Sequence, residues 1–313
     1  MNHFIWIIPL AVVTASYLFF LIFGYFLFKF LCTPKRSASA SLDGNSGRSL
    51  QKYVPVIKQN ALAINAHKHE MVKTTAFDGI TLRAKLYPNT RKDRFVILAH
   101  GYHSSPSWDF GASFDAYYDE GYSILALEMR GHGSEGKYIG FGALDQKDVH
   151  QWMLYLADRF GKDIRIALAG VSMGAATVML TSGNYPTGQL AAVIEDCGYA
   201  SADTLFHYLI RSKKVPPFTL IAFASMWSGL LAGYFFRDAK PVEALRKSHT
   251  PTLFIHGTAD TFVPFDCIEV NYNACAAPKE KAIFEGAIHG ESSYREPERY
   301  RKVVQTFLRK YMA

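Results

Sequence analysis

Hydrophobic positions fall along this chain in two distinct patterns. From Phe4 to Phe28 no residue is charged, and a run of about 20 apolar residues is enough to cross the hydrocarbon core of a bilayer. This predicts one transmembrane helix over residues 4–28, within an N-terminal anchor of residues 1–32. A cleaved signal peptide is the alternative, but it would carry a basic start and only about 7–15 apolar residues; the first three residues, MNH, hold neither Lys nor Arg. Residues 33–49, TPKRSASASLDGNSGRS, are rich in Ser, Gly and charge. They predict a flexible tether, the start of a linker over 33–66 that leads to a domain of residues 67–313.

Within that domain the pattern alternates. Residues 70–77 and 80–87, joined by Asp78-Gly79, predict a β-hairpin, because an Asp-Gly pair supplies the positive φ a tight turn requires. Short continuous apolar runs then recur at Phe95–Ala99, Ile124–Leu127, Ile164–Ala169, Ala192–Glu195, Thr252–Ile255 and Ala282–Phe284. Segments of helical period separate most of them, at 108–119, 145–160, 174–181, 266–276 and 297–311. In the last, Val303, Val304, Phe307, Leu308 and Tyr311 share one face. Uninterrupted apolar strands alternating with helices imply a sheet buried on both sides. The expected class is therefore α/β, with an eight-stranded, mostly parallel sheet, an antiparallel beginning and helices on both faces. Residues 202–250 break the alternation, and no charge occurs from Phe218 to Phe236. A second span there would split the sheet across the membrane, and Pro216, Pro217, Ser225, Ser228, Gly229 and Gly233 dilute the run. The insertion is expected to be a helical cap packed over the sheet's edge.

Composition then bears on location. Lys29, Lys35, Arg36 and Arg48 all follow the apolar run, and basic flanks stay on the cytoplasmic side, which predicts a single-pass membrane protein with a cytoplasmic domain. The net charge of +7 is otherwise dispersed. No stripe of basic residues interleaved with aromatics suggests nucleic acid, and a basic surface suits an anionic leaflet. Cys32, Cys197, Cys267 and Cys275 lack metal-ligand spacing, and the three in the domain leave at least one unpaired thiol, as a reducing compartment allows. No glycine-rich phosphate loop follows a strand, so neither cofactor nor metal is expected.

One stretch carries candidate chemistry. In ALAGVSMGAA (167–176) a strand pattern breaks at Gly170-Val171-Ser172-Met173-Gly174 and resumes as helix formers. G-x-S-x-G alone is common, but at a strand-to-helix turn it suits an exposed nucleophile, with the Met173 N–H at the helix start aimed at an oxyanion. A serine hydroxyl needs a base and a carboxylate to orient that base. His289, in EGAIHG after the last strand, and Asp260, in HGTAD after the preceding one, both leave strand C-terminal ends, where sites gather in open α/β sheets. His67, His69, His150 and His207 fail that positional test. Asp196, at the end of the strand before the insertion, is the competing acid. The loop His100-Gly101-Tyr102-His103 after the first parallel strand offers the Tyr102 N–H as second oxyanion donor, with His100 and His103 fixing the loop.

Taken in order, HGYHSS (100–105), RGHGSEG (130–136), GVSMGAAT (170–177), IHGTADTFVP (255–264) and GAIHGES (286–292) resemble the α/β-hydrolase superfamily over about residues 70–312. The set is similar to bacterial, often membrane-anchored serine hydrolases related to esterase and prolyl-oligopeptidase-type sequences. The resemblance implies Ser172 as nucleophile, His289 as base, Asp260 as its orienter, Tyr102 and Met173 as oxyanion donors, and RGHGSEG as a structural loop in which His132 is not catalytic. Cleavage of a small-molecule carboxylic ester, moderately hydrophobic or lipid-like, through an acyl-enzyme is the function expected. A peptidase or amidase of the same fold, and a catalytically silent binding module, are the alternatives.

Overall fold

The computed structural model describes residues 4–34, 48–211 and 217–313. Eight strands form one sheet: β1 (Glu70–Thr75), β2 (Thr81–Tyr87), β3 (Arg91–Ala99), β4 (Tyr122–Glu128), β5 (Arg165–Val171), β6 (Leu190–Asp196), β7 (Thr252–Gly257) and β8 (Lys279–Phe284). Their order is β1-β2-β4-β3-β5-β6-β7-β8. The β1–β2 and β2–β4 pairings are antiparallel and the rest parallel, as the alternation predicts. Along β3 the two-residue period of a strand sends Ile97 and Ala99 into the core on one face of the sheet and Val96 and Leu98 into that on the other. Helices α3 (Asp145–Phe160) and α4 (Met173–Asn184) contribute Trp152, Met153, Ala176 and Val178 to the first face. Helix α8 (Pro297–Tyr311) lays Val304, Phe307 and Leu308 on the second, each fully buried side chain worth about 1.5–3 kcal/mol. Helix α7 (Asp266–Ala274) follows β7.

Three segments differ from the pattern-based expectation. The helix expected over 108–119 is two short turns, Pro106–Asp109 and Phe114–Tyr118, split around Gly111, where a Cβ would meet the Ser107 carbonyl at 2.7 Å. Of the linker expected over 33–66, residues 35–47 lie outside the described residues, and with them most of the tether. Residues 48–66 are a 3-10 turn (Arg48–Tyr53) and helix α2 (Val54–Ala66), which pack Leu50 and Ile57 against Trp108 and Tyr294. The insertion is helical, with α5 (Ala202–Arg211) and α6 (Pro217–Ala232), but α6 is not laid over the sheet. It packs along α1 (Phe4–Cys32), the N-terminal apolar helix, whose segment Ile8–Cys32 is long and apolar enough to cross a membrane. Tyr17 and Phe20 contact Phe223, Tyr25 contacts Trp227, and the Trp227 indole donates to the Leu21 carbonyl at 2.9 Å.

The C-terminal end of α1 is built into the domain. Phe28 and Cys32 are fully buried, and the Ile139 N–H donates to the Cys32 carbonyl at 2.8 Å. A helix that continues from an exposed apolar segment into the domain core fixes the domain relative to that segment without any tether.

Candidate active site

The six parallel strands deliver their C-terminal loops to one edge of the sheet. Ser172 follows β5 at φ 56 and ψ −114, a conformation that costs a non-glycine residue about 1–3 kcal/mol and persists only where its surroundings enforce it. They do so here. The Ser172 N–H donates to the Asp196 carbonyl at 2.8 Å and the Ser172 carbonyl accepts from Ala176 N–H at 3.0 Å. A Cβ on Gly174 would come within 1.8 Å of the Ala99 carbonyl oxygen, and one on Gly170 within 2.3 Å of the Gly174 carbonyl oxygen. The two glycines therefore allow strand and helix to approach until the turn at Ser172 is forced.

Ser172 Oγ lies 2.8 Å from His289 Nε2, and His289 Nδ1 lies 2.7 Å from Asp260 Oδ2. Asp260 is buried, which by itself would raise its carboxyl, but hydrogen bonds from His256 and His289 hold it well below the usual carboxylate range. An ionised carboxylate only accepts, so Nδ1 of His289 carries the proton and Nε2 is free to accept from the serine hydroxyl. The other carboxylate oxygen, Oδ1, accepts from the N–H groups of Phe262 and Val263, each at 2.9 Å. Such a relay can draw a proton off Ser172 as its oxygen attacks and return it to a leaving group. The competing acid, Asp196, is not in this relay: its Oδ1 accepts from Ser292 Oγ at 3.4 Å, and burial pushes its carboxyl up to about 7.

The loop after β3 is fastened at nearly every polar atom. Gly101 N–H donates to Asp109 Oδ2 at 2.6 Å and Ser104 Oγ to Asp109 Oδ1 at 2.5 Å. His103 N–H donates to His132 Nε2 at 2.8 Å, and Met129 N–H to His100 Nε2 at 3.1 Å. Burial pushes the His100 and His132 imidazoles down to about 3 and 4, so both remain neutral acceptors. The N–H groups of Gly101 and His103 are thus committed to Asp109 and His132. The Tyr102 hydroxyl donates to the Leu31 carbonyl of α1 at 2.8 Å. In the RGHGSEG loop, Arg130 is buried between Asp148 (2.7 Å) and Asp78 (2.6 Å).

Several contributors are silent in the sequence pattern. His256 stands behind Asp260, with Nε2 at 3.2 Å from both Asp260 Oδ2 and the Val263 carbonyl; its spacing of four from Asp260 in IHGTAD is the only trace. Asp109 fastens the oxyanion-side loop, and burial pushes its carboxyl up to about 6. Glu291 holds the His289 loop by accepting from Ile288 N–H at 2.9 Å while gripping the Tyr53 hydroxyl at 2.8 Å and the Lys52 ammonium at 2.6 Å. Among the described residues, Cys197, Asp260 and His289 bring three potential ligand atoms within 4.8 Å of one another. A metal there would have to break the His289–Asp260 bond and bind a thiolate, whereas burial and the neighbouring carboxylates push the Cys197 thiol well up.

A model of the alpha/beta hydrolase family matches residues 96–302. The chain belongs to the alpha/beta hydrolase family. Among its relatives is the uncharacterized protein YqkD of Bacillus subtilis, 30% identical over 194 residues, or 61% of this chain and 64% of YqkD; the chain thus spans just under two thirds of that relative. YfhR of Escherichia coli K12 is 25% identical over 251 residues, 76% of this chain and 80% of YfhR. Of solved structures, an esterase of Pyrococcus furiosus superposes with a TM-score of 0.67 at 24% identity, covering 80% of this chain and 94% of its own. An acylaminoacyl peptidase of Pyrococcus horikoshii reaches 0.58 at 16% identity, with 43% of its own chain covered. At these identities the structural likeness speaks for the fold.

Proposed function

We propose that this protein is a membrane-anchored serine hydrolase that cleaves carboxylic esters through an acyl-enzyme. The observation that carries the reading is the unbroken path Ser172–His289–Asp260, at 2.8 and 2.7 Å, starting from a serine in a strained turn at a helix N-terminus. Ser172 Oγ attacks the ester carbonyl as its proton passes to His289 Nε2. The N–H groups of Tyr102 and Met173 take the negative charge on the carbonyl oxygen, and the imidazolium, paired with Asp260, returns the proton to the departing alcohol. Water then enters, His289 takes one of its protons, and the acyl group leaves as a carboxylic acid.

Helix α1 supports the anchor, and the basic residues that follow it support a cytoplasmic domain. The Pyrococcus furiosus neighbour is an esterase, which supports ester over amide. The apolar insertion beside the site supports a moderately hydrophobic or lipid-like acyl group. The test is a fluorophosphonate probe on membranes containing the full chain. The wild type should label and Ser172→Ala should not; a wild type that stays unlabelled would sink the proposal. Protease added to intact spheroplasts should leave the domain uncut, and digestion from outside would overturn the cytoplasmic placement.

A further inference from the structure

Helix α6 raises a question that the ester-hydrolase reading leaves open: which solvent does its outer face meet? Its partner is α1, and the two run side by side in the same direction, Tyr17 and Phe20 meeting Phe223, Tyr25 meeting Trp227, and Cys32 meeting Tyr234 just past the end of α6. The approach is close. A Cβ on Gly24 would fall 2.5 Å from the Phe223 Cβ, the backbone proximity that small residues give to helix pairs in membranes. Away from this contact α1 exposes Val12, Phe19, Phe23 and Phe26, and α6 exposes Ala222, Leu230 and Leu231. After Ala232 the chain turns at Gly233, φ 77, bends by 82° and buries Tyr234 and Phe236 in the domain.

We propose that α6 lies within the bilayer beside α1, with its outer face in contact with lipid acyl chains. The inference rests on reading α1 as the membrane anchor, and geometry does the rest. Two parallel helices in van der Waals contact occupy the same depth, so hydrocarbon around α1 at Tyr17–Tyr25 is also hydrocarbon around α6 at Phe223–Trp227. Phe28, where α1 becomes buried in the domain, lies ten residues beyond Leu18, or about 15 Å at 1.5 Å per residue. That distance is half of a hydrocarbon core of about 30 Å, which puts Leu18 near the midplane; the Phe223 Cβ lies beside Gly24, four residues before Phe28, or about 6 Å inside that boundary. Ala222 is one residue deeper, and Leu230 is about 12 Å closer to the domain than Ala222 by the same helical rise. An aqueous lid would instead leave Ala222, Leu230 and Leu231 in water, where added exposed apolar surface is costly.

The experiment is spin-label accessibility on the full chain in phospholipid nanodiscs, in a Cys267→Ala background because Cys32, Cys197 and Cys275 are buried. Labels go on Phe19→Cys, Ala222→Cys, Leu230→Cys and, as an aqueous control, Lys162→Cys; Leu231→Cys replaces Leu230→Cys if that variant does not fold. The expected result is loss of collisions with a water-soluble nickel chelate at 19 and 222 together, gain of collisions with oxygen there, and a shallower depth at 230. Nickel access at 222 equal to that at 162, with 19 still shielded, would overturn this proposal and leave the anchor standing. Nickel access at 19 as well would remove the anchor and this inference with it.

Discussion

Replacing Asp260 or Asp196 with Asn changes one atom in each case, yet the surroundings predict opposite outcomes. Asp260 accepts four hydrogen bonds, two from backbone N–H groups on Oδ1 and two from His289 and His256 on Oδ2. In Asp260→Asn, an amide oxygen kept on the backbone N–H pair turns an NH2 group toward both imidazoles. His289 must then accept at Nδ1, which moves its proton to Nε2 and leaves no acceptor for Ser172. The wrong tautomer in a serine triad costs about 10⁴ in kcat, equivalent to about 5.4 kcal/mol of barrier. Asp196 faces no such demand. Its carboxyl is raised by burial from 3.8 to about 7, so the folded state holds a proton that the unfolded state has released across that window. Stability is therefore lost as pH rises from 3.8 towards 7, by about 3 units or roughly 4 kcal/mol. Asp196→Asn mimics the protonated acid at every pH and should recover most of that loss. The assays are turnover of a small p-nitrophenyl ester and thermal unfolding at pH 4.5 and 8. Asp196→Asn should keep near-normal turnover and gain several degrees at pH 8 but little at pH 4.5. Loss of turnover in Asp196→Asn with Asp260→Asn active would refute the acid assignment, and an equal gain at both pH values would refute the burial argument.

Other substitutions probe the scaffold. Gly174→Ala brings a Cβ to 1.8 Å from the Ala99 carbonyl oxygen; it should cost at least the roughly 1–3 kcal/mol of an overpacked core, read as lost folded yield or a lower melting temperature. Gly188→Ala meets no atom within 4 Å and should be neutral or stabilising by about 0.4–1 kcal/mol in the same measurement. Arg130→Met strands the buried Asp148 carboxylate and should destabilise by about 3–5 kcal/mol in urea unfolding, with partial recovery when Asp148→Leu is added. Tyr102→Phe removes the bond to the Leu31 carbonyl, worth about 0.5–1.5 kcal/mol; loosening a loop that carries an oxyanion donor should lower kcat more than it raises KM.

The sheet and the edge bearing the site were legible because each depends on local pattern. Continuous apolar runs such as Phe95–Ala99 and Thr252–Ile255 can be buried on both faces only in a covered parallel sheet, and the polar residues that end them must emerge at one edge. Ser172, Asp260 and His289 could be selected because each follows such a run. What local pattern cannot convey is which of two apolar surfaces meet. The charge-free stretch Phe218–Phe236 has the composition of a core helix and of a lipid-facing one alike, and only its pairing with α1 through Gly24 and Trp227 separates them. Residues 48–66 read as linker because Lys52, Lys58 and Gln59 dilute the spacing of Leu50, Ile57, Ala61 and Ile64, whose buried side chains nevertheless form one stripe. Asp109 and His256 act on the site through hydrogen bonds, to Gly101 and Ser104 and to Asp260 respectively, and such bonds leave no periodic trace.

Another set of unanticipated contacts ties the loops of the site to the N-terminal segment. Tyr102 is bonded to the last turn of α1, and the His289 loop is held through Glu291 by Lys52 and Tyr53. The insertion is joined to the same helix by α6 and to the Asp260 loop by the Tyr208 hydroxyl, which donates to the Thr261 carbonyl at 3.1 Å. A helix that served only to retain the domain at a membrane would need none of these bonds, since a flexible tether retains as well. Their presence means that removing α1 takes away a partner of the oxyanion-side loop and the packing surface of α6 together. Deletion of the anchor should therefore lower turnover even of a water-soluble ester that needs no membrane to reach the site. Full turnover by a folded chain lacking residues 1–32 would show that the anchor and the chemistry are independent.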